Sequence, residues 1–497
     1  MGRISFMAKI QTEAEPNYWE SHYDNSDFDS YYGTWNVDKW DSESATYYEP
    51  DDTQSVSIDV AGTWHEDYRP TKVRVTYTGS DTLDIFVGDA DGTSNALVGP
   101  GSYTSGEEIN ITWADYDIAF LSVMNFLDNP FSITNIEWYT VFERSGTPST
   151  WNVDHDEHHS SALLDSTHVV VSYRDWDDDD AGKSVVATID GTSITWGSTY
   201  EFIGDMSSET SSVAIDSTHV LVTYSDPANS WYGTAKIGTI SNGDEISWGS
   251  AQVFNSGSIG DTYCAMLDST HVLITYRDGG NLNYGTAIIG TISGATITWG
   301  SKYVFNTTGS TYNISCAMLD STHFVTVYRE SGPLYGNAII GVVSNDDEIA
   351  FGSESTFNSA TTYPGNVISI DSTHFYVAWD DSNNSGQSII GTISSGDQIS
   401  YGSEYEYNAG DSAGGGHPYL IDSTHILLVY QDWGNGQKGV CRVATIANDD
   451  EISYGGKFTW NDNNTFYITA QGLDSEHVIA IYNDSGAPDD GEAIIIY

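Results

Sequence analysis

The sequence predicts an all-β chain, an N-terminal β-sandwich of jelly-roll type followed by a seven-bladed β-propeller with four strands to each blade. Three observations predict it. The string Asp-Ser-Thr-His begins at Asp165, Asp216, Asp268, Asp320, Asp371 and Asp422 and returns as Asp-Ser-Glu-His at Asp474, so a unit of 51 or 52 residues recurs. Each unit holds four short runs of β-branched and aromatic residues bounded by Gly, Asn, Asp and Ser. None of these runs has the spacing of an amphipathic helix, and a period of about 50 residues is the mark of a solenoid or propeller.

Within one unit the order is constant. CAMLD from Cys264 leads into the DSTH turn, HVLITYRD follows from His271, a loop closes at Gly285, GTAIIGTI comes next, and ITWGSKYVFN from Ile297 is the fourth run. Asp, Ser and Thr in the turn bond their own backbone. The repeated His168, His219, His271, His323, His374, His425 and His477 are spread one to a blade and cannot converge on one metal ion. Trp151, Trp196, Trp248, Trp299, Phe351, Tyr401 and Tyr454 are expected between blades. The last unit stops at Tyr497 within its third strand, and Ser149-Thr150-Trp151 matches Ile194-Thr195-Trp196. A strand near Trp151 is therefore expected to complete the last blade and close the ring without a free edge.

Residues 148–497 thus form the propeller. Residues 51–147 carry separate β runs, SVSIDVAGTW, KVRVTYTG, TLDIFVGDA and SITNIEWYTVFE among them, and read as the sandwich. Residues 1–50, rich in Tyr, Trp, Ser and Asp without clear period, read as a peripheral arm.

Charge excludes several functions. The 497 residues carry 16 Lys+Arg against 71 Asp+Glu, a net charge of −55, with 49 Asp to 22 Glu. Such a field repels phosphate backbones and anionic lipid surfaces, which leaves no nucleic-acid or membrane-surface role. It also implies a surface built for molar salt, where a Debye length of about 3 Å screens the self-repulsion. With 39% hydrophobic and 13% aromatic residues, the chain has ample core material. No apolar run is long enough to span a bilayer, and residues 1–20 lack the apolar core of an export signal.

The sequence offers little for catalysis or metals. Cys264, Cys316 and Cys441 have no ligand spacing and read as core residues, and no cofactor is implied. Asp177 to Asp180, and Asp89-Ala90-Asp91-Gly92, lack the full spacing of a calcium loop. There is no nucleophile elbow, HExxH or phosphate loop, and paired carboxylates mean little at this Asp content. The expectation is of no catalytic residues, no metal site and no enzyme.

Recognition is expected on the loops between the second and third runs, which vary while the frame stays constant. They carry Trp176, Asp178, Trp231, Tyr232, Tyr284, Tyr335 and Trp433, with Tyr263, Tyr312, Tyr363, His417 and Tyr467 on the loops that enter the next blade. Flat aromatics beside Asp and Asn suit sugar rings, which stack on the one and hydrogen-bond to the other.

The seven DSTH units with their YRD, GTA, GTI and ITWGS frame resemble propeller repeats of large surface-exposed and viral proteins. With the sandwich and the acidic composition, the chain resembles an exposed virion protein, a turret or tail fibre, of tailed viruses of halophilic archaea. That resemblance implies location on the virion surface, reached without an export signal, and attachment to other virion proteins through the N-terminal domain. It also implies a homo-oligomer that binds a host surface glycan or surface-layer glycoprotein. The alternatives are a glycan-cleaving propeller enzyme and a protein-interaction scaffold.

Overall fold

The computed structural model describes residues 147–497, short stretches excepted, and the backbone of the strands before them. The chain divides into two compact units, Met1–Glu143 and Arg144–Tyr497.

The first unit contains two antiparallel sheets. In one, Ser132–Thr140 lies beside Pro70–Thr78, which also pairs with Glu108–Asn110. Two segments of the 1–50 stretch, Arg3–Ile4 and Ala45–Thr46, pair with Ser132–Thr140. The other sheet runs Gln54–Ile58, Ala119–Asn125, Leu83–Asp89 and Val98–Tyr103.

In the second unit each repeat folds into an antiparallel blade. Blade 1 orders Asp156–Asp165, His168–Asp175, Ala181–Asp190 and Ser193–Trp196, with Tyr200–Ile203 continuing the fourth strand along Ala181–Asp190. The first strands of the blades adjoin one another in a circle. Asp156–Asp165 neighbours Ser208–Asp216, and the series continues through Gln252–Met266, Thr311–Met318, Thr362–Ser369, Ala413–Asp422 and Phe458–Gly472, which returns to Asp156–Asp165. Seven four-stranded units thus form a closed ring, the layout predicted from the repeat.

The middle strands are continuous apolar runs because both faces of a blade are covered. In blade 1, Val169 and Val171 pack with Ile479 and Ile481 of blade 7, whereas Val170 packs with Val220 of blade 2. The period of two therefore sorts side chains between two seams rather than between core and water.

The repeated turn is built as its residue types require. In blade 3, Asp268 Oδ1 accepts the Thr270 N–H at 2.6 Å and the Thr270 hydroxyl at 2.9 Å, and His271 Nδ1 lies 2.8 Å from Oδ2. The same bonds recur at Asp165, Asp216, Asp320, Asp371 and Asp422. Each His is thus committed to its own turn. Burial opposes ionisation of Asp268 and Asp320, but the threonine and histidine hydrogen bonds outweigh it and hold both carboxyls down at about 2. The three cysteines are buried, and burial pushes their thiols up to about 12.

Ring closure uses the expected segment in a different register. Ser149–Asn152 pairs with Asp490–Ile496, Ser149 opposite Ala493 and Thr150 opposite Glu492. The Trp151 indole fills the space a Cβ on residue 491 would occupy, as Phe202 does at Gly182 and Trp460 at Gly439. Trp151 is therefore the counterpart of Phe202, and its strand matches Tyr200–Ile203 rather than Ser193–Trp196. Its neighbours agree: Trp151 sits 6.2 Å from Tyr173 and 5.0 Å from Trp196, just as Phe254 meets Tyr276 and Trp299 at 5.3 and 5.5 Å. The string STW resembled ITW, but the slot opposite a glycine decides the register, since only there can a large ring lie flat on the strand.

Candidate functional site

The DSTH turns lie at one end of the ring and the variable second-to-third loops at the other. Near the variable end every first strand carries a bulge, where its register with the second strand slips. Five blades place a non-glycine residue in the left-handed region there: His158 (φ 53°), Glu209 (57°), Asp261 (46°), Asn313 (50°) and Tyr467 (48°). This conformation costs about 1–2 kcal/mol for such residues. Bulges re-aim side chains, and strain of this kind concentrates where function needs it. The bulges ring the mouth of the central channel with polar and aromatic groups.

The densest group joins the last blade to the first. Tyr467 Oη donates to Glu157 Oε1 at 3.0 Å, and Glu157 Oε2 lies 3.6 Å from Arg174 Nη1. Arg174 also binds Asp180 through Nε (3.0 Å) and Nη2 (2.8 Å), and its guanidinium stacks 4.7 Å from the Trp176 ring. Beneath them the side chains of Asp156 and His159 are fully buried, His159 Nε2 lying 3.1 Å from Asp156 Oδ1. His159 Nδ1 faces the Tyr467 carbonyl at 2.9 Å, and Asn483 Nδ2 donates to Asp156 Oδ1 at 2.9 Å. Burial and then the Glu157 charge push the Tyr467 phenol up to about 12, so at neutral pH it is a hydrogen-bond donor. Burial lowers His158, assisted by Arg174 and opposed by Glu157.

A second group lies across blades 3 to 5. Arg277 and Arg329 hold the same position on their second strands, opposite Gly260 and Tyr312. A Cβ on Gly260 would lie 2.1 Å from Arg277 Nη2, so glycine lets that side chain cross the strand. Arg277 then stacks 4.8 Å from the Tyr312 ring, and Arg329 lies 5.6 Å from Tyr312 and 4.8 Å from Tyr363. Guanidinium and phenol groups thus alternate around this arc. Arg277 Nε is 2.9 Å from Asp261 Oδ2, whereas Arg329 has no ion pair or hydrogen-bond acceptor among the described residues, its Nε being buried.

The residues expected to bind a receptor are distributed around this end. Trp176 (49% exposed), Trp231 (37%), Tyr335 (37%) and Trp433 (50%) stand in blades 1, 2, 4 and 6. Tyr232 and Tyr284 begin third strands and are half-buried. Asp178 is exposed, but its carboxylate contacts Lys183, and Asp180 serves Arg174, so the acidic run is partly neutralised by its own cations. His417 is on no loop. It lies in the channel wall on its first strand, where Asn366 Nδ2 donates to its Nδ1 at 2.7 Å and burial lowers the imidazole to about 4. Among the described residues no cluster of three or more His, Cys, Asp or Glu is placed to hold a metal; Ala90 to Gly92 fall outside them.

Sequence reading named Tyr312 and Tyr467 but missed Glu157, Arg174, Arg277 and Arg329, the groups that join them at this end. A signal existed: aligning the units puts Arg174, Ser225, Arg277, Arg329, Asp380, Gln431 and Asn483 in one column, a polar position that varies within an apolar strand.

No family model matches the chain, and no curated protein matches it. Its structure is similar to the NanB sialidase of Streptococcus pneumoniae, at 11% identity and a TM-score of 0.41 over 90% of this chain and 95% of that one. It is similar to an ulvan lyase, a polysaccharide lyase, at 10% identity and a TM-score of 0.47 over 71% and 95%. A 6-phosphogluconolactonase-like protein of Bacteroides uniformis follows at 10% identity and 0.45 over 66% and 92%. The expectation that the chain is no enzyme is corrected here, since a sialidase and a lyase stand among these structures. At these scores they say nothing of its substrate, and none of the three is a virion protein.

Proposed function

We propose that the variable-loop mouth of the propeller is a carbohydrate site. The observation that carries this reading is the setting of Trp176, a ring 49% exposed and stacked on an Arg174 guanidinium that Asp180 fixes in place. An exposed flat ring beside fixed N–H donors and carboxylates offers a sugar both its stacking surface and its hydrogen-bond partners. Trp231, Tyr335 and Trp433 offer further rings at the same end. Binding of the full chain to a glycan panel, beside a Trp176→Ala/Trp433→Ala variant, tests the reading.

Glycan cleavage in the same mouth is a second reading, favoured by the Tyr467–Glu157 pair. Glu157 accepts the phenolic hydrogen, so a phenol donor and a carboxylate stand side by side, groups that can serve as acid and base in cleavage of a sugar linkage. Release of reducing ends, abolished in Tyr467→Phe and Glu157→Gln even at glycan concentrations that saturate each variant, would establish it. In its finest form the reading makes this face the host-attachment surface of a virion protein anchored through residues 51–147. The acidic, salt-adapted composition supports that form, and binding to intact haloarchaeal cells tests it.

A further inference from the structure

Arg329 is unusual in its own chain. Acids outnumber cations 71 to 16, and the other described cations of the propeller all have oxygen partners. Arg174, Arg277, Lys183, Lys302, Lys438 and Lys457 meet carboxylates, and Arg442 and Lys236 meet backbone carbonyls. Arg329 alone among them meets neither among the described residues, although anions are plentiful. It is held instead by stacking against Tyr312 and Tyr363, the latter 51% exposed. Stacking fixes the plane of a guanidinium without using the N–H donors at its edge. A planar cation so held is preorganised for the bidentate hydrogen bonds that a carboxylate accepts.

We propose that Arg329, between Tyr312 and Tyr363, binds the carboxylate of an acidic sugar. This inference rests on the carbohydrate reading of the mouth and names the class of sugar. Tyr363 supplies the exposed ring that a sugar bearing the carboxylate would lie against. Arg277, one blade away, already has Asp261, so Arg329 carries the charge recognition. A net charge of −55 makes the choice informative, since an acidic ligand approaches against the field and needs a dedicated cation.

The test is titration of the full chain, in molar salt, with glucuronate, galacturonate and N-acetylneuraminate, their methyl esters, a sulfated sugar, and a panel of neutral oligosaccharides. At least one acid is expected to bind about tenfold or more tightly than its ester, the margin of a charge-assisted hydrogen-bond pair. Arg329→Gln should remove that margin, and Arg329→Lys should restore only part of it. Circular dichroism confirms the fold of each variant. Neutral sugars binding while acids show no preference over esters, or a preference that survives Arg329→Gln, would overturn the inference and spare the carbohydrate reading. A sulfated sugar preferred over every carboxylate would overturn the assignment to carboxylate. No binding of any sugar, acidic or neutral, would overturn both.

Discussion

Tyr467 Oη donates a 3.0 Å hydrogen bond to Glu157 Oε1, joining residues 310 positions apart where the last blade meets the first. Glu157 is tied onward to Arg174, and Arg174 to Trp176, so the closure seam of the ring and the most exposed aromatic of blade 1 belong to one connected group. Tyr467→Phe should therefore keep the fold, costing about 1 kcal/mol or less for one half-exposed hydrogen bond. It should also lower the affinity of any ligand bound beside Trp176. Chemical denaturation and ligand titration of the same variant check the two effects separately.

Closure itself is testable at Trp151. Its ring lies against Gly491 and Trp196, so Trp151→Ala leaves a cavity in the seam and should cost about 3 kcal/mol. Trp151→Phe should cost about 1 kcal/mol, because Phe202, Phe254, Phe305 and Phe357 fill the same slot elsewhere. Denaturant midpoints of the two variants decide. Equal losses would show that Trp151 is not seated as Phe202 is.

This position also shows where sequence was legible and where it was not. DSTH, with its one DSEH variant, announced seven turns because its Asp, Thr and His bond within four positions, and a local demand leaves a near-constant string. Trp151 was placed in the right blade but on the wrong half of the strand, since a glycine more than 300 residues away sets its slot. The mouth was harder still. Glu157, Arg174 and Tyr467 come together through ring closure, and their positions vary from blade to blade as the frame does not.

His417 gives a pH signature. Its imidazole is lowered to about 4 in the folded protein against about 6.5 unfolded. Between those values the unfolded chain binds the proton and the folded one does not, so stability should fall as pH drops from about 6.5 to about 4. His417→Gln should flatten this part of the melting temperature profile. Asp268 and Asp320, held at about 2, act lower: their stabilisation is full above about 4 and is lost as pH falls towards 2.

Salt dependence follows from the charge. With 71 acids to 16 cations, self-repulsion should weaken the fold at millimolar salt and molar NaCl should restore it. Melting temperature followed by circular dichroism across that range should rise with salt. A flat profile would show that the acids are spaced too widely to repel.

The most direct test of the carbohydrate mouth is binding of the full chain to a glycan panel in molar salt, beside the folded Trp176→Ala/Trp433→Ala variant. Saturable binding of one glycan class, weakened about tenfold or more in the variant, is the predicted result. Binding that the double variant leaves unchanged, or no binding across the panel, would contradict it.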